Sequence, residues 1–396
     1  MTSLRLAWAN LLHERGRTAI SVVGAAFAVV LVFMQLGFLG SVENTATLLY
    51  GKMRFDLLIT SSEYLDMSRP GSVDRTRLAQ AESAAGVKEV LPVSIGPGVW
   101  RNPTDDPERG RKLWQLSMVG IDPGTLDRVF LPPTEGGIFR DDADQREARV
   151  QLGQIDSVLL DRRSKPYFGE PGEMPAGTET ELNGRRVRLA GYFQAGTGFS
   201  YSGLLLMNEE TFAKYTGRPA QSVSFGLVTL REGEDPTEAA KRLRAVLPAD
   251  VQVHTRAEME ADERSYWVNK TAVGKFFYFG VLLAITVGAI FIYQMMVADI
   301  KKHMPEYATL KAMGYRFGFL FRVVVDQALF LALAGYAFGA AAALLLYELT
   351  ILAAAIPIAM TWQRMGLVLL LTVGMCVASA LLAVRKVRTA DPAELF

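Results

Sequence analysis

The chain has 396 residues, half of them hydrophobic and 21% charged, with 42 Lys and Arg against 41 Asp and Glu. A net charge of +1 excludes nucleic-acid binding through a basic surface, and the apolar content excludes a disordered chain. Length alone would give two or three globular domains, but the apolar residues are gathered into a few long runs.

Those runs cover residues 18–40, 274–298, 317–346 and 366–384. The first holds no charge in 23 residues. Each is long enough to cross a hydrocarbon core about 30 Å thick as a helix, and four such runs with charges at their ends argue against buried core helices. The first run exceeds the apolar stretch of a cleaved leader, and Ser41, Val42 and Glu43 follow it with no small-residue cleavage pattern. It is expected to stay as a spanning helix.

Basic residues set the orientation. Arg5, Arg15 and Arg17 precede the first run, Lys301, Lys302, Lys311 and Arg316 lie between the second and third, and Arg385, Lys386 and Arg388 follow the fourth. The positive-inside rule places all three groups, and both termini, in the cytoplasm. The connection 347–365 is nearly uncharged and belongs on the opposite side. So does the segment 41–273, whose 29 Lys and Arg and 34 Asp and Glu give a net charge of −5. That segment is large enough to bury its own core and has no cysteine; the single Cys376 lies in the fourth run.

In chain order, residues 1–17 begin with Leu4, Trp8, Leu11 and Leu12 on one helical face beside Arg5, His13, Arg15 and Arg17. This suits an amphipathic helix at the inner membrane surface or one packed on the helical bundle. Beyond residue 40 helical character extends outward. Segments 55–61, 87–100, 112–122, 149–161, 185–193, 202–208 and 222–230 read as strands, rich in Val, Leu and Ile and bounded by Gly, Pro or Asp. Helical patterns at 74–85, 209–217 and 235–248 lie between them, the last opening with Asp235 as N-cap and Pro236 at the first helical position. Residues 163–184 read as an exposed loop, and 254–275 as a helix leading into the second membrane run.

Catalytic signatures are missing. There is no P-loop and no H-E-x-x-H, and His13, His254 and His303 fall on opposite sides of the membrane. Gly196-Thr197-Gly198 suits a hairpin turn better than a phosphate loop, and Ser200 misses the nucleophile-elbow spacing because the glycine stands at Gly203. No cofactor is expected in this chain.

Two polar features remain. Arg322 and Asp326 stand four apart in the third run, spaced to pair on one helical face. Such a pair either fixes helix packing or takes part in coupling or transport. The cytoplasmic segment 299–316 is short and helical in pattern from Pro305, with Glu306 in the first turn and Gly314 placed to end the helix. From its physics it suits either an ordinary interfacial turn or a helix that fills a groove on a partner.

The sequence EYATLKAMGY (306–315) resembles the coupling segment of FtsX-like ABC permeases. The ending VRKVRTADPAELF (384–396) and the strand MVGIDP (118–123) resemble that family and the outer domains of its MacB type. LAWANLLHERGR (6–17), FMQLGF (33–38), the Tyr266-Trp267 pair and ADPAELF (390–396) are similar to the DevC branch of heterocyst-type exporters. The resemblance implies a bundle of four transmembrane helices with a large extracytoplasmic α+β domain inserted between helices one and two. It implies a homodimer paired with a separate ABC ATPase that binds ATP and Mg. Glu306, Tyr307, Thr309, Leu310, Lys311, Met313, Gly314 and Tyr315 would contact that ATPase. It further implies a bacterial inner membrane, a periplasmic adaptor (membrane fusion protein), a TolC-like outer-membrane channel, and export of a lipid-like or amphiphilic cargo. Lipoprotein release, as by LolC/E-type permeases, and FtsX-type control of a cell-wall hydrolase are the alternatives with the same topology.

Overall fold

A computed structural model describes residues 15–104, 112–199, 201–302, 317–354 and 356–389, with Leu4, Trp8 and His13. The coupling segment 306–315, Ser200, the ending 390–396 and most of the amphipathic segment lie outside the described residues. The chain divides into two units, one of Met1–Gly40, Ala272–Ala354 and Ile358–Phe396, the other of Ser41–Thr271 with Ala355–Pro357.

The elements in order are α1 (Arg15–Ala46), β1 (Leu57–Ser61), β2 (Val73–Asp74), α2 (Arg75–Glu82), β3 (Val87–Arg101), β4 (Leu113–Ile121), α3 (Leu126–Val129), α4 (Asp142–Leu152), β5 (Ser157–Asp161), β6 (Glu179–Leu182), β7 (Arg185–Phe193) and β8 (Leu204–Asn208). There follow α5 (Glu209–Thr216), β9 (Ser222–Val223), β10 (Phe225–Leu230), α6 (Pro236–Val246), β11 (Val251–Thr255), α7 (Arg256–Ser265), α8 (Ala272–Lys302), α9 (Phe317–Ala354) and α10 (Trp362–Thr389). Short 3-10 turns join several of them.

In the α/β unit the nine-stranded sheet runs β11-β1-β10-β3-β4-β8-β5-β7-β6. Its long strand β3 serves two halves. Residues 87–93 pair antiparallel with β10, and residues 94–101 pair antiparallel with β4. Trp100 also pairs with Leu182 of β6, so the second half closes on itself. Closure removes an exposed edge and encloses a core of Trp100, Met118, Leu160, Phe168 and Leu205. The Trp100 indole is fully buried and donates to the Phe168 carbonyl at 2.9 Å, the partner a buried indole N–H requires. The first half packs Leu57, Ile59, Val228 and Val253 beneath Leu78 of α2 and Leu243 of α6. Side-chain N-caps open these helices: Asp74 accepts from the Thr76 N–H and Asp235 from the Glu238 N–H.

Four local expectations change. Residues 149–152 belong to α4, not a strand: Asp141 caps its start and Ala148 and Leu152, four apart, are its buried face. The segment 163–184 is not a bare loop, because it contributes β6 and the buried Phe168 and Met174. Strand β11 occupies 251–255 and pairs antiparallel with β1, where its alternating burial is too short to register in the sequence. Gly196-Thr197-Gly198 makes no hairpin, since β5 lies between β7 and β8.

Among the described residues, four helices are long and apolar enough to cross a membrane, at Gly16–Ala46, Ala272–Lys302, Phe321–Ala353 and Trp362–Arg385. Small residues bring two of them close. A Cβ on Gly335 would lie 2.5 Å from the Ala25 Cβ, and one on Gly339 would lie 2.6 Å from the Val29 Cγ1. The two glycines form a G-x-x-x-G pair, which in lipid replaces the hydrophobic effect with close van der Waals contact. Farther along, the Tyr347 hydroxyl donates to the Phe33 carbonyl at 2.5 Å. Cys376 is fully buried beside Met375, Ala380 and Ala383, a small core residue. Trp8, half exposed, sets its ring 5.2 Å from that of Phe330.

Candidate functional site: a clasp on the two chain connections

The chain enters the α/β unit at the end of α1 and leaves it through α7 and a five-residue π-turn, Tyr266–Lys270, just before α8. The residues around these two passages are fastened to each other inside that unit. Arg256, the first residue of α7, is the main fastener. Its guanidinium donates to the carbonyls of Tyr50 (3.1 Å), Met53 (2.6 Å) and Phe55 (3.2 Å), and its carbon lies 4.0 Å from the Phe55 ring centre. These carbonyls belong to the 3-10 turn Tyr50–Lys52 after α1 and the extended residues leading to β1. The planar fork of arginine reaches several acceptors at once, which lysine does not. A capping box fixes the start of α7: the Thr255 side chain accepts from the Glu258 N–H while the Glu258 carboxylate accepts from the Thr255 N–H.

One turn before the π-turn, Glu263 is 1% exposed. Tyr64 donates its hydroxyl to one carboxylate oxygen at 2.6 Å; the Met67 N–H (3.2 Å) and the Trp267 indole N–H (3.1 Å) donate to the other. Tyr64 in turn bonds the Tyr50 hydroxyl at 2.7 Å. Burial raises the Glu263 carboxyl to about 7, against the three hydrogen bonds that favour its charge. Burial likewise pushes the Tyr50 and Tyr64 hydroxyls well above the usual tyrosine range. Beside them Asp66, also 1% exposed, binds Ser68 and Arg69, and Arg69 reaches the Tyr266 hydroxyl.

A third fastening holds α1. The Phe199 N–H donates to the Thr45 hydroxyl at 3.3 Å, and Gly198 lies flat on that side chain. The loop is set by Asp161, whose buried carboxylate accepts from the N–H groups of Arg163, Ala195 and Gly196. Burial raises Asp161 above the usual carboxylate range, opposed by those bonds. A Cβ on Gly198 would strike the Thr45 Cβ and lie 2.6 Å from its hydroxyl oxygen. Gly198→Val is therefore expected to destabilise the α/β unit by about 1–3 kcal/mol, read as a lower denaturation midpoint, whereas Gly177→Ala, with open space around it but a positive φ, should cost less.

The residues singled out in the sequence fall elsewhere. Glu306, Tyr307, Thr309, Leu310, Lys311, Met313, Gly314 and Tyr315 lie outside the described residues. Arg322 is exposed and Asp326 half-buried, and no ion pair joins them among the described residues; one Asp326 carboxylate oxygen has no hydrogen-bond partner. Tyr266 and Trp267, marked by family resemblance, do enter the clasp. No local pattern marks Arg256 or Glu263, although Thr255-x-x-Glu258 is a legible capping signature. Among the described residues no group of His, Cys, Asp or Glu could hold a metal ion.

Among the described residues, four helices long and apolar enough to span a membrane, with a large α/β unit inserted in the chain between the first and second, define a multi-pass membrane protein. Residues 18–246 match the MacB-like periplasmic core domain, and residues 278–392 match the FtsX-like permease C-terminal domain. The chain belongs to the MacB-type, FtsX-like permeases, the membrane subunits of ABC transporters. Among solved structures it is similar to the periplasmic region of MacB from Actinobacillus actinomycetemcomitans, at 15% identity and a TM-score of 0.36, covering 54% of this chain and 94% of that one. It is also similar to the extracellular domain of the noncanonic ABC-type transporter YknZ from Gram-positive bacteria, at 14% identity and a TM-score of 0.35, covering 51% and 99%. No curated protein matches the chain.

Proposed function

We propose that this permease converts the closing movement of a separate ABC ATPase into a movement of its periplasmic domain, driving export through a tripartite assembly. The observation that carries this reading is the Arg256 clasp, which makes the entry and exit of the periplasmic domain one fastened piece. Loosely tethered connections would dissipate a displacement of the membrane helices; connections fastened by a three-carbonyl guanidinium pass it on as rotation or lift. In this reading the permease sits in the inner membrane as a homodimer with both termini in the cytoplasm. The 306–315 segment, with Glu306 and Gly314, rests on the ATPase, which holds ATP and Mg. The cargo is a lipid-like or amphiphilic molecule collected at the periplasmic side, handed to an adaptor and a TolC-like channel.

Co-purification of the tagged full chain from native membranes tests this reading. The expected partners, identified by mass spectrometry, are an ABC ATPase and a periplasmic adaptor. Recovery of the ATPase with a cell-wall hydrolase, or with a lipoprotein carrier and no adaptor, would overturn the export assignment.

A further inference from the structure

The clasp contains an ionisable group that its mechanical role does not require. Glu263 is enclosed by three segments: the Tyr64–Met67 loop, Tyr50 after α1, and Trp267 in the π-turn. We propose that Glu263 is a proton-responsive latch, which holds the clasp closed when protonated and loosens it when ionised, so that acidity on the periplasmic side sets how firmly the two connections are joined. The inference rests on reading the clasp as the force path.

The geometry accommodates both protonation states without moving a heavy atom. When Glu263 is ionised, Tyr64 donates to it and Tyr50 donates to Tyr64. When Glu263 is protonated, its own O–H donates to Tyr64, which turns its proton toward Tyr50 and leaves the Tyr50 hydroxyl proton without an acceptor, while the other carboxyl oxygen still accepts from Met67 and Trp267. What differs is the cost of burying a charge, the largest contribution at this site, set against that one hydroxyl proton. The groups facing Glu263 relieve that cost only in part, through the hydrogen bonds from Tyr64, Met67 and Trp267. From the loop come Tyr64 and Asp66; from the end of α1 comes Tyr50; from the π-turn come Trp267 and, farther out, Tyr266. Asp66 opposes the Glu263 charge, and Arg69, the nearby cation, is engaged with Asp66.

The sign follows from linkage. In an opened, hydrated clasp the carboxyl returns to its ordinary value of 4.5, while in the closed clasp burial holds it at about 7. The closed form thus keeps a proton that the open form releases, and its advantage is full below 4.5 and lost as pH rises to about 7. Between pH 5.5 and pH 8 the ratio of open to closed forms rises roughly thirtyfold.

Hydrogen exchange of the full-length chain in lipid nanodiscs, corrected for the intrinsic pH dependence of amide exchange, reads this ratio for amides 64–68 and 264–271. The expected result is an opening roughly thirtyfold greater at pH 8 than at pH 5.5, abolished in Glu263→Gln and kept in Asp262→Asn. An opening independent of pH in the unaltered chain, or one equally pH-dependent in Glu263→Gln, would overturn the latch. Tyr64→Phe gives a second test: it removes a donor that favours the carboxylate, so the midpoint of the opening curve moves up, and a midpoint that stays or falls counts against the proposal. The experiment needs no ATPase or adaptor. A failed latch therefore leaves the force path standing, and a failed partner assignment leaves the exchange result intact.

Discussion

Arg256→Ala is expected to lower the stability of the periplasmic domain by about 3 kcal/mol, a fall of roughly 6–12 °C in melting temperature for a unit of this size. The variant deprives the carbonyls of Tyr50, Met53 and Phe55 of a charged donor and removes the guanidinium from the Phe55 ring. Each such hydrogen bond is worth about 1.5–3 kcal/mol, but the carbonyls share one donor group that is itself partly exposed, so the losses do not sum. Arg256→Lys keeps the charge and reaches fewer acceptors, so its loss should be intermediate. The informative readout is the split between stability and coupling. On the proposed mechanism, Arg256→Ala inserts normally and binds the ATPase, yet its export rate falls severalfold more than its ATPase rate at a temperature where the domain stays folded. Equal losses in both rates would indicate a merely structural residue.

In the membrane, Gly339→Leu is expected to have the larger effect on assembly. A side chain there would meet the Val29 Cγ1 at 2.6 Å and the Ala26 carbonyl oxygen at 2.8 Å. The second contact is backbone, so no rotamer change relieves it, and α1 and α9 must separate. Separation forfeits the dispersion contacts that hold helices together in lipid, and the cost should exceed the usual overpacking range of about 1–3 kcal/mol. Gly374→Leu, on a face with nothing within 4 Å, is the matched control and should be tolerated. Thermal unfolding of the two variants in nanodiscs, followed by tryptophan fluorescence, separates a packing defect from a general intolerance of bulk.

The site was legible only at its margins. Thr255-x-x-Glu258 announces the start of α7, and the Tyr266-Trp267 pair was marked through its resemblance to the DevC branch. Glu263 looked like one more charge on a helix carrying Glu258, Glu260, Asp262 and Arg264. Nothing in local spacing distinguishes a carboxylate that meets water from one enclosed by Tyr64, which lies 199 positions away in the chain. Arg322 and Asp326 show the converse: their spacing suits a pair, yet Arg322 is exposed, Asp326 is half-buried and no ion pair joins them.

The four membrane-capable helices and the single large insertion between the first and second are legible in the chain's hydropathy, because transfer of 20-residue apolar runs acts locally and additively. The sequence by itself also determined most helix starts, since Asp74 and Asp235 cap their own backbones within three residues. Tertiary structure alone decided how β3 is shared between two halves, that β6 closes the second half, and that residues 163–184 have a buried side. It alone brought Arg256 to the Tyr50 turn and sealed Glu263 among Tyr50, Tyr64 and Trp267. These outcomes depend on contacts between residues far apart in the chain, whose desolvation and hydrogen bonding come into being only once the core has formed.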